Sequence, residues 1–112
     1  MIDTALMTAI LDSLKQPILV ADTDHITRYM NKAATEYYGE GTALIGRSLL
    51  DCHNEESQRI MVEILAAMHD GEEERLFTDN EKHRIYMCAV RDRQGELLGY
   101  YERYEPPAKQ TE

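Results

Sequence analysis

Residues 84–104 read RIYMCAVRDRQGELLGYYERY, in which two apolar, tyrosine-rich runs flank a short polar segment. The runs, residues 85–90 and 97–101, are rich in residue types that suit a pleated, half-buried surface. Between them, Asp92 can occupy the first position of a type I turn and bond the backbone two residues on, and Gly95 can supply the positive φ that reverses the chain. The stretch therefore predicts a β-hairpin.

Neither run of this hairpin alternates between apolar and polar residues. Because strand side chains alternate between the two faces of a sheet, each face of the first run receives three apolar side chains. These are Tyr86, Cys88 and Val90 on one face and Ile85, Met87 and Ala89 on the other. We expect both faces to be largely covered, and the rest of the chain must supply the cover, since an isolated hairpin is only marginally stable.

The size and charge of the chain limit the classes of protein to which it can belong. A chain of 112 residues is long enough for one hydrophobic core and too short for two. Its formal net charge of -9 disfavours nucleic acid and anionic membranes as partners, because an acidic surface cannot neutralise phosphate. Ordinary proportions of hydrophobic and charged residues, 43% and 29%, are typical of a soluble globular protein.

Targeting and cysteine patterns point to the cytoplasm. No apolar run approaches the ~18 residues that span a membrane, and Asp3 lies where a signal peptide would carry Lys or Arg. Cys52 and Cys88 are far apart and lack C-x-x-C spacing, which disfavours both a disulfide scaffold and a structural zinc site.

Residues 5–15 carry apolar side chains at three- and four-residue spacing, which predicts a short amphipathic helix. The apolar residues are Leu6, Met7, Ile10, Leu11 and Leu14. Asp3 and Thr4 are candidate N-caps, and Pro17 follows the helix. The apolar stripe either closes over the chain's own sheet or pairs with a second copy. In the second case Leu6, Ile10 and Leu14 form the dimer interface.

The middle of the chain predicts three more strands and two more helices. Strands at residues 17–21 and 26–30 flank a turn, and Asn31 is a good N-cap for the short helix that follows. Residues 40–48 predict loop or short helical turns. A long helix then carries an apolar stripe opposite its charged residues, formed by Ile60, Ile64, Leu65 and Met68. Residues 75–78 predict the strand that precedes the hairpin.

This order of elements predicts an α+β fold, in which a five-stranded antiparallel sheet has helices packed on one face and an amphipathic helix at its amino end. Several short motifs at matching positions make the chain resemble a PAS domain. They are Asp22-Thr23-Asp24, Asn31-Lys32-Ala33-Ala34, Leu44-Ile45-Gly46-Arg47, and Val90-Arg91-Asp92 with Gly95 and Gly99. The resemblance covers roughly residues 5–105. It divides the chain into an amino-terminal helix at 1–16, a PAS-like sensor domain at 17–105 and a disordered tail at 106–112.

Two departures from the family pattern stand out. His25 replaces the usual turn glycine, although His tolerates the left-handed region better than most residues. Tyr104-Glu105-Pro106-Pro107 replaces the Asp-Ile-Thr that often follows the last strand and couples it to an effector. No kinase, cyclase or DNA-binding segment follows, so we expect any output to act through a separate effector protein.

The resemblance implies a signal-sensing module that holds a small ligand or cofactor between the sheet and the long helix, and that forms a homodimer. The alternative is a cofactor-free interaction or dimerisation domain. If a ligand binds, the space between the long helix and the hairpin should be open. If assembly is the function, that space should be filled by Ile64, Met68, Met87 and Tyr101.

Haem is the most concrete cofactor candidate, with His53 as its axial ligand. In haem-binding PAS oxygen sensors the proximal histidine comes from the long helix or its entrance, where His53 lies, and neutral imidazole is a common haem ligand. The predicted apolar walls are Ile60, Ile64, Met87 and Val90. The alternative for His53 is a surface or capping histidine. No second iron ligand can be named from the sequence.

Flavin and enzymatic chemistry receive little support. Light-sensing PAS domains carry Gly-Arg-Asn-Cys, but here Ser48 and Leu49 follow Gly46-Arg47, and Cys52 lies three positions too late, so FMN is disfavoured. Glu55 and Glu56 would oppose a Cys52 thiolate. Asp51-Cys52-His53 are consecutive, whereas catalytic groups converge from separate elements. We therefore expect no enzyme.

Overall fold

The hairpin that the sequence predicts forms the two longest strands, β4 (Arg84–Arg91) and β5 (Leu97–Glu105), of a computed structural model that describes residues 3–107. The Asp92 side chain accepts hydrogen bonds from the backbone N–H groups of Gln94 and Glu96, at 2.9 and 3.0 Å. Gly95 has a φ of 88° and donates its N–H to the Asp92 carbonyl. The turn therefore closes through the two residues that the sequence singled out.

The remaining elements follow the predicted order. They are α1 (Thr4–Ser13), β1 (Ile18–Asp22), β2 (Thr27–Met30), α2 (Lys32–Tyr37), two 3-10 turns (Gly41–Leu44 and Leu49–Cys52), α3 (Glu55–His69) and β3 (Glu74–Asp79). The strands form one antiparallel sheet in the order β2-β1-β5-β4-β3, so the hairpin lies in its interior. This is the predicted α+β fold.

The first two strands join the hairpin through β5. Leu19 pairs with Glu102, and Ala21 pairs with Tyr100. At Gly99 the two backbones approach so closely that a Cβ atom would lie 2.1 Å from the Ala21 carbonyl oxygen. Only glycine fits there, which explains the break in the apolar pattern of the last strand.

The core lies between the inner face of the sheet and α3. α3 begins at Asn54, whose side chain accepts a hydrogen bond from the Ser57 N–H, and Glu55 and Glu56 lie in its first turn. Its inward face buries the side chains of Met61, Ile64, Leu65 and Met68. These contact the core cluster that includes Leu19, Met87 and Tyr100.

Asn31 joins three elements at the edge of this core and is completely buried. Its side-chain oxygen accepts from the N–H of Ala34, which caps α2, and from the N–H of Ile18 in β1. Its amide nitrogen donates to the carbonyl oxygens of Leu11 and Gln16, at 2.9 and 3.1 Å. One side chain therefore fixes the positions of α1, β1 and α2.

The apolar stripe of α1 does not close over the sheet. Asp3 caps the helix by accepting from the Leu6 N–H, and no residue of α1 is fully buried. Four apolar side chains of the predicted stripe are 44–51% exposed, Leu6, Met7 and Ile10 in the helix and Leu14 at its C-cap, whereas Leu11 is partly buried. The helix is held instead through Asn31 and by Asp12, which accepts a hydrogen bond from the Tyr29 hydroxyl at 2.8 Å.

The outer face of the sheet differs from the expectation that both faces are covered by other elements. Tyr86 and Val90 remain partly exposed there, because α2 and α3 pack on the inner face. The cover comes from neighbouring strands: the Arg103 guanidinium lies 4.6 Å from the centre of the Tyr86 ring and forms an ion pair with Glu74 at 2.8 Å. A mixed apolar and charged face results.

Two sequence expectations concern the ends of the chain and membranes. Most of the tail predicted at 106–112 lies outside the described residues, which include only Pro106 and Pro107 of it. Across residues 3–107, no helix is both long and apolar enough to cross a membrane.

Candidate functional site

A cavity of about 460 Å³ lies at one end of the core, where the end of α2, the two 3-10 turns and the start of α3 meet the inner face of β3, β4 and β5. Its lining is rich in aromatic and imidazole rings, from Tyr37, Tyr38, His53, Phe77, His83 and Tyr104. Leu19, Leu44, Leu49 and Ile85 supply aliphatic contacts. A concave, mostly apolar site with a few polar groups is typical of a small-molecule site.

Three tyrosines form one wall of the cavity. α2 ends at Tyr37, and the Tyr37 ring meets the rings of Tyr38 and Tyr104 edge to face, with centroids 5.2 and 5.1 Å apart. His83 extends the wall, with its ring 5.4 Å from that of Tyr104. Burial raises the pKa of the Tyr104 hydroxyl. Edge-to-face contacts fix these rings relative to one another, so the wall is preorganised.

Phe77 and His53 form a second part of the lining. The pairing of β3 with β4 shifts between Leu76 and Thr78, and this bulge accommodates Phe77 as an extra residue. Phe77 lines the cavity and lies edge to face with His53, at 5.8 Å between ring centres. The bulge therefore changes which side chain of this edge strand faces the site.

Glu102 is a buried carboxylate in the cavity lining, only 4% exposed. Its position in β5, between Leu19 and Met87 of the neighbouring strands, directs its side chain to the inner face. The Tyr38 hydroxyl donates to Oε1 at a long 3.5 Å, and Oε2 has no hydrogen-bond partner among the described residues. Burial raises the pKa of the Glu102 carboxyl to about 7.

His53 lies at the cavity, directly after the second 3-10 turn. Its Nδ1 is 2.7 Å from the Leu49 carbonyl oxygen. Because a carbonyl oxygen can only accept, Nδ1 carries the hydrogen, and Nε2 keeps its lone pair in the neutral ring. This is the tautomer that a metal-binding histidine needs.

None of the four predicted wall residues lines this cavity. Ile64 and Met87 are completely buried in the core, and Ile60 packs against the core cluster. Val90 faces the outer side of the sheet, because it alternates with the core residues Met87 and Ala89. The structure therefore does not bring His53 together with these four side chains around one space.

The space between the middle of α3 and the hairpin is filled, as the assembly alternative required, by Ile64, Met68 and Met87. Tyr101 does not contribute, because its place in β5 puts it on the outer face, opposite Val20 and Cys88. The open volume lies nearer the start of α3, beside β3. The filled space that the assembly alternative predicts and the open space that ligand binding predicts therefore occur in different parts of the same core.

Cys52 also lines the cavity, but it is exposed, and both cysteines are free thiols. Cys88 lies on the outer face, where Arg103 donates to its sulfur at 3.6 Å. Burial raises the pKa of the Cys88 thiol. Among residues 3–107 no group of three or more His, Cys, Asp and Glu side chains could hold a metal ion.

Sequence reasoning missed Glu102 and the tyrosine wall. The signal for Glu102 was the period of two in β5, which puts it on the same face as Tyr100 and Tyr104, both buried. A charged residue between two inward-facing tyrosines is an exception that marks a special environment. The tyrosine wall carried no comparable signal, because Tyr37 and Tyr104 meet only through the fold.

The chain matches a known protein family. The family model described as "PAS fold" matches residues 11–110. No curated protein sequence matches the chain.

Solved structures share the fold. A C-terminal domain from Streptococcus mutans superposes with a TM-score of 0.77 at 18% identity, covering 94% of this chain and 85% of that one. The PAS domain of Bordetella pertussis BvgS gives 0.66 at 20% identity, with 95% and 87% covered. The Vibrio cholerae Aer2 receptor, described as a dual PAS-haem oxygen sensor, gives 0.58 at 14% identity, with 81% and 93% covered. At these identities the similarity concerns the fold.

Proposed function

The chain belongs to the PAS fold family, and we propose that it is a signal-sensing module that binds a small ligand in the cavity beside Glu102 and relays its occupancy to a separate protein. The observation that carries this proposal is the buried carboxylate, whose Oε2 has no partner among residues 3–107 and which belongs to an otherwise ring-lined space. Proteins rarely keep such a group without a reason, because an unpaired buried charge destabilises the fold.

Relay is the second part of the proposal. The cavity lies between the sheet and a helical layer made of α2, the 3-10 turns and α3, so a bound molecule would contact both layers. A ligand changes a conformational equilibrium only through contacts that differ between two states. Residues 39–53 connect α2 to α3, and we expect the bound and free states to differ there.

A binding screen with cavity-filling variants tests the proposal. Small aromatic compounds are added to isotope-labelled protein, and amide shifts in the NMR spectrum locate any binding. Ser57 lines the cavity and its side chain is small, so Ser57→Phe should fill the space, whereas Ser57→Ala should leave it open. We expect binding that Ser57→Ala retains and Ser57→Phe removes. Shifts that persist in a folded Ser57→Phe protein would contradict the assignment of the site.

Haem is a second candidate ligand, supported by the tautomer of His53. A neutral Nε2 is the atom that would hold the iron, and the haem would supply gas or redox chemistry. The lining fits the porphyrin ring through its aromatic walls and fits its propionates poorly, since Glu40 and Glu102 are carboxylates. The imidazole therefore favours haem, and the charge of the cavity opposes it.

Dimerisation through α1 completes the proposal. Leu6, Ile10 and Leu14 are each 44% or more exposed, and large apolar side chains repeated along one helix favour burial against a partner. We propose that a second copy covers them and that ligand occupancy is transmitted across this interface. The same surface would serve the alternative function, a cofactor-free interaction domain.

A further inference from the structure

The charged side chains that line the cavity have one sign, and the nearby Arg47, outside the lining, pairs with Glu40 at 3.6 Å. Of the described residues that line it, two are carboxylates, Glu40 and Glu102, and none is Lys or Arg. Two imidazoles, His53 and His83, complete the set of ionisable side chains other than Tyr and Cys. The chain as a whole has a net charge of -9, which raises the local concentration of cations at its surface.

The rings of the cavity suit a positive charge as well. Aromatic faces attract cations through the ring quadrupole, and tyrosine and tryptophan do so best. Three tyrosines and Phe77 contribute rings to this space of about 460 Å³. A carboxylate and aromatic rings in one cavity are the two kinds of group that recognise an ammonium or amidinium group.

Glu102 supplies the specific contact. Oε1 is weakly engaged by the Tyr38 hydroxyl, and Oε2 has no donor within the described part of the chain. A cationic N–H donor bound at the carboxylate would compensate its desolvation, which a neutral or anionic ligand would not do.

Building on the proposed ligand-binding function, we propose that the ligand of this cavity is a compact organic cation. It carries an ammonium or amidinium group that binds Glu102 and a flat or apolar body that packs between the tyrosine wall and Phe77. Glu40, at the same cavity, contributes long-range attraction only.

A matched set of three probes tests this selectivity. Benzylammonium, benzyl alcohol and benzoate have similar shapes and carry positive, zero and negative charge. Each is titrated into the 112-residue protein while amide shifts of Tyr38, Phe77, Glu102 and Tyr104 are recorded by NMR. We expect benzylammonium to bind at least about tenfold more tightly than benzyl alcohol, the size of a charge-assisted hydrogen bond. Benzoate should not saturate.

Two variants locate the selectivity. Glu102→Gln keeps the shape of the side chain and removes its charge, so it should lower the affinity for benzylammonium about tenfold or more and leave that for benzyl alcohol within about twofold. Glu36→Gln is the matched control at an exposed carboxylate outside the lining and should change either affinity by less than about threefold. The melting temperature of each variant reports whether it is folded.

The pH dependence of benzylammonium binding shows whether the ligand prefers the ionised or the protonated form of Glu102. The titratable and charged groups around Glu102 and its cavity are Tyr37, Tyr38, Tyr100, Tyr104, Cys52, His53, His83 and Glu40, with Arg47 paired to Glu40. Burial raises the pKa of Tyr100 and of Tyr104 still further above neutral pH. Ionisation of Glu102 should strengthen benzylammonium binding by on the order of tenfold from about pH 6 to about pH 8. A ligand that accepted a hydrogen bond from the protonated carboxyl would instead bind more weakly over the same range.

The outcomes distinguish this inference from the function on which it rests. Equal binding of benzyl alcohol and benzylammonium at the cavity residues would overturn the cation inference and leave ligand binding intact. Tighter benzylammonium binding that Glu102→Gln does not weaken would overturn the role of Glu102. The absence of saturable shifts at these residues with all three probes would overturn both.

Discussion

At the scale of single residues, Glu102 is the most unusual group in the protein. A carboxylate on the inner face of a sheet loses its hydration, and the only described partner of its two oxygens is a tyrosine hydroxyl at 3.5 Å. Burial of Glu102 therefore lowers the stability of the folded protein, and the same side chain gives the cavity its buried carboxylate. Such a cost is typical of binding sites, where stability and function compete.

We predict that Glu102→Gln stabilises the protein increasingly as the pH rises. The folded-state pKa of Glu102 is raised from 4.5 to about 7, so the folded protein binds the proton more tightly than the unfolded chain does. The wild type should therefore lose stability between about pH 4.5 and pH 7, by on the order of 3 kcal/mol. The glutamine variant lacks this loss. Chemical denaturation of both proteins at about pH 5 and pH 8 measures the difference.

His25 provides the check on that experiment. Burial lowers its pKa, so protonation of His25 destabilises the fold as the pH falls, which is the opposite sign. Both proteins contain His25, and its contribution cancels in the difference between them. A difference in the free energy of unfolding that stays constant from about pH 5 to pH 8 would contradict a raised Glu102 pKa.

The role of His53 as a haem ligand is tested by absorption spectroscopy. If haem binds through Nε2, adding haemin to the purified protein should give a sharp Soret band that His53→Ala removes. His69→Ala is a suitable control, because His69 is an exposed histidine at the end of α3, away from the cavity. A band of equal intensity in all three proteins would show adventitious haem, and no band in any would remove haem from the candidates.

At the scale of elements, Asn31 shows how much one polar side chain can organise. Its four hydrogen bonds reach α1, β1, α2 and the link between α1 and β1. We predict that Asn31→Ala lowers the free energy of unfolding by about 3 kcal/mol or more, since several buried backbone groups lose their partners. Asn54→Ala removes an ordinary cap on α3 and should cost about 1 kcal/mol. Urea denaturation of both variants gives the comparison.

A similar loss in the two variants would mean that Asn31 acts only as a helix cap. Asn31→Asp refines the test, because it keeps the acceptor oxygens for Ile18 and Ala34 but cannot donate to Leu11 and Gln16. We expect its stability to lie well below that of the wild type.

Elements were predictable from sequence where their signals are local. The turn at Asp92 and the cap at Asn31 each depend on a few neighbouring residues, and their predicted positions match the structure. The predicted stripe of α3 matches at Ile64, Leu65 and Met68, whereas the structure buries Met61 more completely than the predicted Ile60. The cavity was not predictable in this way. Phe77 faces it because of a bulge in β3, and Glu102 lies beside Tyr38 only because β5 pairs in one particular register. Register and bulges are set by the whole sheet.

At the scale of the whole molecule, the proposed signal has to pass from the cavity on the inner side of the sheet to the apolar stripe of α1. Asn31 provides a physical link, because it binds Leu11 and Gln16 and also caps α2, which ends at the tyrosine wall. Coupling requires that ligand binding bias an element with two arrangements. The pair of α1 and α2 is the part of the fold that reaches both surfaces.

The exposed apolar stripe of α1 predicts the state of assembly. We expect a homodimer, and we expect Leu6→Glu with Ile10→Glu to give a folded monomer, because two charges would then face the apolar stripe of the partner. Multi-angle light scattering measures the mass, and circular dichroism reports the fold. The matched control is Val62→Glu with Leu98→Glu, two residues that are 50% and 54% exposed and lie on α3 and β5. If the α1 pair remains dimeric, or the control pair also becomes a monomer, α1 is not the interface that determines assembly.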